Sequence, residues 1–101
     1  MSLIINENAG ILEINGSLNA QNTKSIKNYL EALINQSSFS ITISLNKVAD
    51  IDKSGFDTII NLYKKALSKN KFVYIISDEN KKIVALFRSE KLTSLLNSQV
   101  D

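Results

Sequence analysis

"ADIDKSGFDTIINLYKKAL", residues 49–67, changes character part-way along. A polar cluster from Asp50 to Gly55 gives way to Phe56, Ile59, Ile60, Tyr63, Ala66 and Leu67, which recur at the i, i+3, i+4, i+7 spacing of one helix face. This is the clearest helical period in the chain. Ser54 stands at the junction, and Ser-Gly-Phe-Asp fits a capping box with Ser54 at the N-cap and Asp57 at the third helical position. Two roles are open for this serine. It is a helix cap, or it is a chemical handle, because a helix N-terminus offers free N–H groups and partial positive charge to an added phosphate. A phosphoserine here would bring about two negative charges next to Asp52 and across from Asp50, a large local change.

Upstream of this stretch, "ITISL" ends a run, "SFSITISL", that reads as a strand from about Phe39 to Leu45. Downstream, "KFVYIIS" is nearly continuous in β-branched and aromatic residues, the pattern of an interior strand covered on both faces. Nearer the N-terminus, "SLIIN", the turn "ENAG" and the alternating "ILEIN" predict an antiparallel hairpin. Ile11 and Glu13 then share one face, Leu12 and Ile14 the other, and Gly16 ends the strand. From Ala20 the period lengthens, with Ile26, Leu30, Leu33 and Ile34 on one stripe, Lys24, Lys27 and Asn28 pointing away, and Asn19 or Asn22 as the cap. A third helix is expected across "ENKKIVALFRSE", with Ile83, Val84, Leu86 and Phe87 on its apolar side. "KLTSLLNSQV" is open between a short strand and a frayed helical turn. Strands alternating with helices imply right-handed crossovers, and hence an α/β fold: a mixed four- to five-stranded sheet with its helices mainly on one face.

The composition bounds the rest. With 101 residues, no Pro, and no repeat or Gly/Ser-rich linker, residues 1–101 are expected to form a single domain. Lys and Arg number 12 against 10 Asp and Glu, so there is no strongly basic surface for nucleic acid, and four Phe, three Tyr and no Trp are not interleaved with basic residues as a stacking platform would need. The absence of Cys and His removes disulfides, thiolate nucleophiles, Ser-His relays and ordinary zinc sites. There is no P-loop or other glycine-rich phosphate cradle. No apolar run is long enough for a membrane span and the N-terminus lacks a signal core, so a cytoplasmic protein with no membrane insertion is expected.

In a parallel sheet, the loops leaving the C-terminal strand ends gather on one edge, where binding usually occurs. Here these loops are "NGSLNA", "NKVADIDKSG" and "SDENK", so Ser17, Asn19, Asp50, Asp52, Ser54 and Asp78 are expected to be neighbours, with Lys53 and Gly55 between them. Each also has a plain structural reading. Asp52 is a common type of residue ahead of a helix, Phe56 belongs to a core stripe, and the pairs Lys64–Lys65 and Lys81–Lys82 are simple solvated helix faces.

The strand "ITISL" followed by "VADIDKSGFDTIINLYKKA" resembles the signature region of STAS domains, the bacterial anti-sigma factor antagonist family, whose pattern is close to an apolar strand, I-D-S-S-G-L, then a helix. "ILEINGSLNAQNTKSIKNYLEALI" is similar to the family's second strand, G-x-L-D turn and first helix, and "KFVYIISDENKKIVALFRSEKL" to its later strand and helix. Against that pattern Asn19 stands for an acidic residue, Ser44 for another, and Lys53 for a small hydroxyl residue. The resemblance implies a non-enzymatic, cytoplasmic switch in transcription or stress-response regulation. Its partner is an anti-sigma factor or serine kinase, its phosphoacceptor is Ser54, and Ser17, Asn19, Asp50, Asp52, Lys53, Ser54, Gly55 and Asp78 form the partner-binding surface. It implies no catalytic residue, metal or cofactor. The alternative is a constitutive interaction subunit, similar to stand-alone STAS proteins of transporter complexes, in which Ser54 is only a cap. Monomer and dimer stay open.

Overall fold

A computed structural model of the chain describes residues 3–36 and 40–97. Its elements follow the order β1 (Leu3–Asn8), β2 (Ile11–Leu18), α1 (Thr23–Gln36), β3 (Ser40–Ser44), β4 (Val48–Ile51), α2 (Lys53–Ser68), β5 (Phe72–Ile76), α3 (Lys81–Ser89), a single 3-10 turn at Thr93–Leu95, and the two-residue β6 (Leu96–Asn97). The C-terminal stretch therefore holds both of the structures that its sequence left open. Phe39, the expected start of β3, lies outside the described residues.

The N-terminal hairpin forms because Ala9 and Gly10, the two residues between β1 and β2, both adopt positive φ, at 55° and 82°. This is the handedness that lets a two-residue turn follow the twist of its strands. β1 runs antiparallel to β2, and β2–β3, β2–β4, β3–β5 and β5–β6 are all parallel. The order across the sheet is β1-β2-β3-β5-β6, with β4 paired to β2 off this path. The mixed sheet expected from the sequence is present, with β5 inside it.

Gly16 does not end its strand. At φ 110° it lets β2 continue through a register shift, beyond which the strand changes partner. Ile11, Leu12 and Glu13 pair with β3, whereas Gly16, Ser17 and Leu18 pair with Val48, Asp50 and Ile51 of β4.

One face of the sheet carries the core. Leu12, Ile14, Ile43, Val73 and Ile75 cluster with Ile26, Leu30 and Ile34 of α1, Phe56, Ile59, Ile60, Leu62 and Ala66 of α2, and Ile83 and Phe87 of α3. Val73 is 3% and Ile75 0% exposed, as an interior strand requires. The other face of β5 is open over the first part of the strand, whereas Ile76 at its end is 6% exposed. Phe72 and Tyr74 are accordingly 51% and 40% exposed and stack on one another, with ring centroids 6.4 Å apart. The continuous apolar run thus reflects one face covered throughout and the other covered only at Ile76.

α2 departs from its predicted stripe at one place, where Leu62 is buried and Leu67 exposed. The helix packs on α1 as well as on the sheet, so its apolar arc widens toward the α1 side, while Leu67 in the last turn rotates out to water. α1 begins at Thr23. Asn22 precedes it and its carbonyl accepts from the Ile26 N–H, while Asn19 Oδ1 accepts from the N–H groups of Gln21 and Asn22. Both candidate caps act, one by backbone and one by side chain.

α3 is joined to α2 by Phe87, fully buried and edge-to-face with Phe56 at a centroid distance of 5.0 Å and 73° between planes. Such a pair contributes area burial plus about 0.5–1.5 kcal/mol of ring–ring interaction. Phe87→Ala is expected to cost about 3–5 kcal/mol, the range for emptying a buried aromatic site, read as a lower midpoint in chemical denaturation.

Candidate functional site

The parallel strands deliver three loops to one edge, and the first two are tied together by Asp52. This residue, not Ser54, is the N-cap of α2: Oδ1 accepts from the Gly55 N–H at 2.8 Å, with the extended backbone that a cap needs. The competition between two cap residues has a physical outcome. The backbone N–H of Asp52 donates to the Leu18 carbonyl at 3.0 Å, continuing the β2–β4 ladder, and so holds Asp52 extended one step ahead of the helix. Ser54 falls on the second helical residue. Asp57, expected to complete the capping box, instead pairs with Lys53 at 3.6 Å on the helix exterior.

The second oxygen of Asp52 reaches across to the other loop. Oδ2 accepts from the Ala20 N–H at 3.0 Å, in the turn that Asn19 organises. Asn22 closes that turn from behind by donating Nδ2 to the Ser17 carbonyl at 2.8 Å. Ser17 is buried and its hydroxyl donates to Asp50 Oδ2 at 3.5 Å. Asp50 in turn faces Lys82 of α3 at 3.9 Å, and the same ammonium donates to the Ala49 carbonyl at 3.2 Å. Both charged side chains are about two-thirds exposed, so the geometry orders the edge more than it stabilises the fold. Lys82 is thus more than a solvated lysine.

Gly55 is fixed by proximity. A Cβ added there would be driven into the Leu18 carbonyl oxygen and would lie 2.7 Å from its carbon. The start of α2 therefore rests directly on the end of β2, and only a residue without a side chain permits it.

Ser17, Asn19, Asp50, Asp52, Lys53, Ser54 and Gly55 are brought together on this edge, as expected. Asp78 is not tied to them. It accepts from Asn46 Nδ2 at 3.4 Å, on the β3–β4 connection, in a second cluster whose centre is Asn80. The Asn80 amide donates to the carbonyls of Leu45 at 2.9 Å and Val48 at 3.0 Å, while its Oδ1 accepts from the Ile83 N–H and caps α3. Asn46 and Asn80 were not among the expected site residues. An Asn just ahead of "KKIVALF" is a cap signal that marks Asn80, but nothing in the local sequence marks Asn46 as its neighbour. Ser44 is buried, and its hydroxyl accepts from the Asn46 N–H at 3.3 Å.

The Ser54 hydroxyl makes no hydrogen bond among the described residues, and the side chain is exposed. Only its backbone carbonyl is engaged, by Thr58 Oγ1 at 2.9 Å. Among the described residues no cluster of His, Cys, Asp or Glu is placed to hold a metal ion, and no helix is long and apolar enough to cross a membrane.

With this geometry in place the relatives are informative. The family model described as "STAS domain" matches residues 1–94. The chain belongs to the STAS domain family. The fold of this STAS domain is similar to that of the anti-sigma factor antagonist SpoIIAA in its unphosphorylated form, with a TM-score of 0.75 at 12% identity over 99% of this chain and 90% of that one. The phosphorylated form of the Bacillus cell fate determinant SpoIIAA gives 0.71 at 12% identity over 99% and 93%. An anti-sigma factor antagonist from Mycobacterium paratuberculosis gives 0.70 at 13% identity over 99% and 86%. A sulfate transporter family protein from Wolinella succinogenes gives 0.59 at 16% identity over 88% and 77%. No curated protein sequence matches the chain.

Two substitutions separate cap from handle. Asp52→Ala is expected to lower stability by about 0.5–2 kcal/mol, the cost of an N-cap, whereas Ser54→Ala stays within about 0.5 kcal/mol of the native chain. Gly55→Ala is expected to destabilise by about 1–3 kcal/mol through overpacking on Leu18, opposite in sign to the gain of up to about 1 kcal/mol that alanine brings to an unobstructed helix site. Urea denaturation of the three variants reads all three values.

Proposed function

We propose that this STAS domain is a regulatory protein of the anti-sigma factor antagonist type, and not an enzyme. It binds an anti-sigma factor or serine kinase through the loop edge around Ser54 and is released by phosphorylation of that serine. The observation that carries this reading is that Asp52 caps α2, which leaves the Ser54 hydroxyl exposed and without a structural task. In the transfer, Ser54 Oγ takes the γ-phosphoryl group of ATP, its proton leaves and ADP departs. The product dianion lies at the positive end of α2, where it is tolerated, and beside Asp50, Asp52 and Asp57, where it changes the surface most. The solution of SpoIIAA in both unphosphorylated and phosphorylated forms supports a phosphoswitch on this fold.

The reading extends to residues 1–101 acting as one unit in the cytoplasm of a bacterium, in transcription or stress-response control. The surface has Ser17, Asn19, Asp50, Asp52, Lys53, Ser54 and Gly55 at its centre and Asp78 at its margin. A second reading, a constitutive subunit of a transporter complex, is favoured by the likeness to the Wolinella sulfate transporter family protein. In that case Ser54 is never modified.

Charge substitution distinguishes the two readings. A partner docked over Ser54 would have to desolvate a new carboxylate, and Lys53, the cation on the same turn, is already paired with Asp57. Ser54→Asp is expected to weaken binding of the cognate anti-sigma factor or kinase at least about tenfold, or about 1.4 kcal/mol, while Ser54→Ala binds like the native protein. Titration calorimetry measures both, and mass spectrometry after incubation with the kinase and ATP locates the phosphate. Equal affinities of the Asp and Ala variants, or an unmodified Ser54 in a kinase complex, would overturn the phosphoswitch.

A further inference from the structure

Asp52 divides its carboxylate between two segments of chain. Oδ1 holds the Gly55 N–H of α2, and Oδ2 holds the Ala20 N–H in the turn before α1, more than 30 residues away in sequence. The backbone of Asp52 is itself pinned to Leu18, so the carboxylate is a fixed post and the Ala20 turn is the part that hangs on it. Ala20 is exposed and its turn has few alternatives: Asn19 Oδ1 serves Gln21 and Asn22, and the Asn19 carbonyl serves Asn22 and Thr23.

Ser54 is two residues along from Asp52. A phosphate on its Oγ lies against the same first turn and seeks the same N–H groups, Gly55 among them. It also places a dianion close to a carboxylate, and like charges at this range repel. Lys53 on the same turn already pairs with Asp57, and Lys82 with Asp50 and the Ala49 carbonyl, exposed pairs that screen the dianion only in part. The group that yields is the one with a single tether on its far side, the contact from Asp52 to Ala20.

We propose that Asp52 is the positioning residue of the switch: it carries the phosphorylation state of Ser54 to the β2–α1 turn by holding the Ala20 N–H in the unmodified protein and releasing it in the phosphorylated one. This rests on Ser54 as the phosphoacceptor and adds to it a second partner-facing segment, residues 19–22, that changes with the modification. A partner contacting that turn senses phosphate without touching it.

The test uses the full chain with phosphoserine installed at position 54 during translation, so that no kinase is needed. The readout is amide hydrogen exchange and the amide resonance of Ala20, followed by nuclear magnetic resonance. In the native background phosphoserine is expected to speed exchange at Ala20 by at least about tenfold, the factor given by losing about 1.4 kcal/mol of local protection. Exchange within the sheet, at Ile43 and Ile75, stays unchanged. In Asp52→Asn the one amide oxygen serves Gly55 and an NH2 group faces Ala20, so Ala20 is expected to exchange fast even without phosphate, and the phosphoserine effect there to fall to less than about a third of its native size. Unaltered exchange at Ala20 on phosphorylation overturns the proposal without any variant. An equal response in Asp52→Asn overturns it too, because the relay would then bypass the carboxylate. If the cognate kinase leaves Ser54 unmodified while the installed phosphoserine still releases Ala20, the phosphoacceptor reading fails and the coupling stands.

Discussion

The loop edge depends on one close approach. α2 begins on top of the Leu18 carbonyl, with no room for a side chain at Gly55, and the Asp52 N–H donates to that same carbonyl. β2 therefore sets where the helix starts, in which direction it leaves, and which residue becomes its cap. With Asp52 held as the last extended residue, Ser54 is carried onto the first helical turn and outward. A helix starting two residues later would turn the serine into a cap and end its availability. The exposure of Ser54 is thus a by-product of packing between backbone and backbone.

Much of the fold was legible because its elements have clean periods. The stripe through Ile26, Leu30 and Ile34, and that through Phe56, Ile59 and Ala66, are statements about one helix face each, and packing obeyed them. β5 was misread on one side only. An apolar run carries no alternation, so it reports that a strand is interior without reporting whether one face is open, and Phe72 and Tyr74 fell on the open one. Gly16 was read as punctuation because a positive-φ glycine ends a strand or bends it with equal ease, and pairing decides which.

The site was legible as a set of loops and not as a set of bonds. That Ser17, Asp50 and Asp52 meet follows from strand direction alone. That Asp52 outcompetes Ser54 for the helix end does not, since both residue types are good caps and the outcome turns on a hydrogen bond to Leu18, far off in sequence. Asp78 was assigned to the same edge by topology, correctly as to side, yet its partner is Asn46. The distance along an edge between successive strands is not a local property of either loop.

β2 has one further consequence, through its change of partner at Gly16. Its first half is a member of the main sheet, and its second half pairs over only Gly16, Ser17 and Leu18 with a four-residue strand. The bulge divides the strand into two zones on one segment, one within the main ladder and one that anchors the loop edge, where Leu18 and Val48 are themselves core residues. Local opening is left to the segment beyond this ladder, the exposed Ala20 turn and the exposed Asp50 and Asp52 carboxylates. Strain introduced at the loop edge is accordingly absorbed there. A surface of this kind can be remodelled by substitution at its exposed positions while Leu18 and the sheet beneath keep their register.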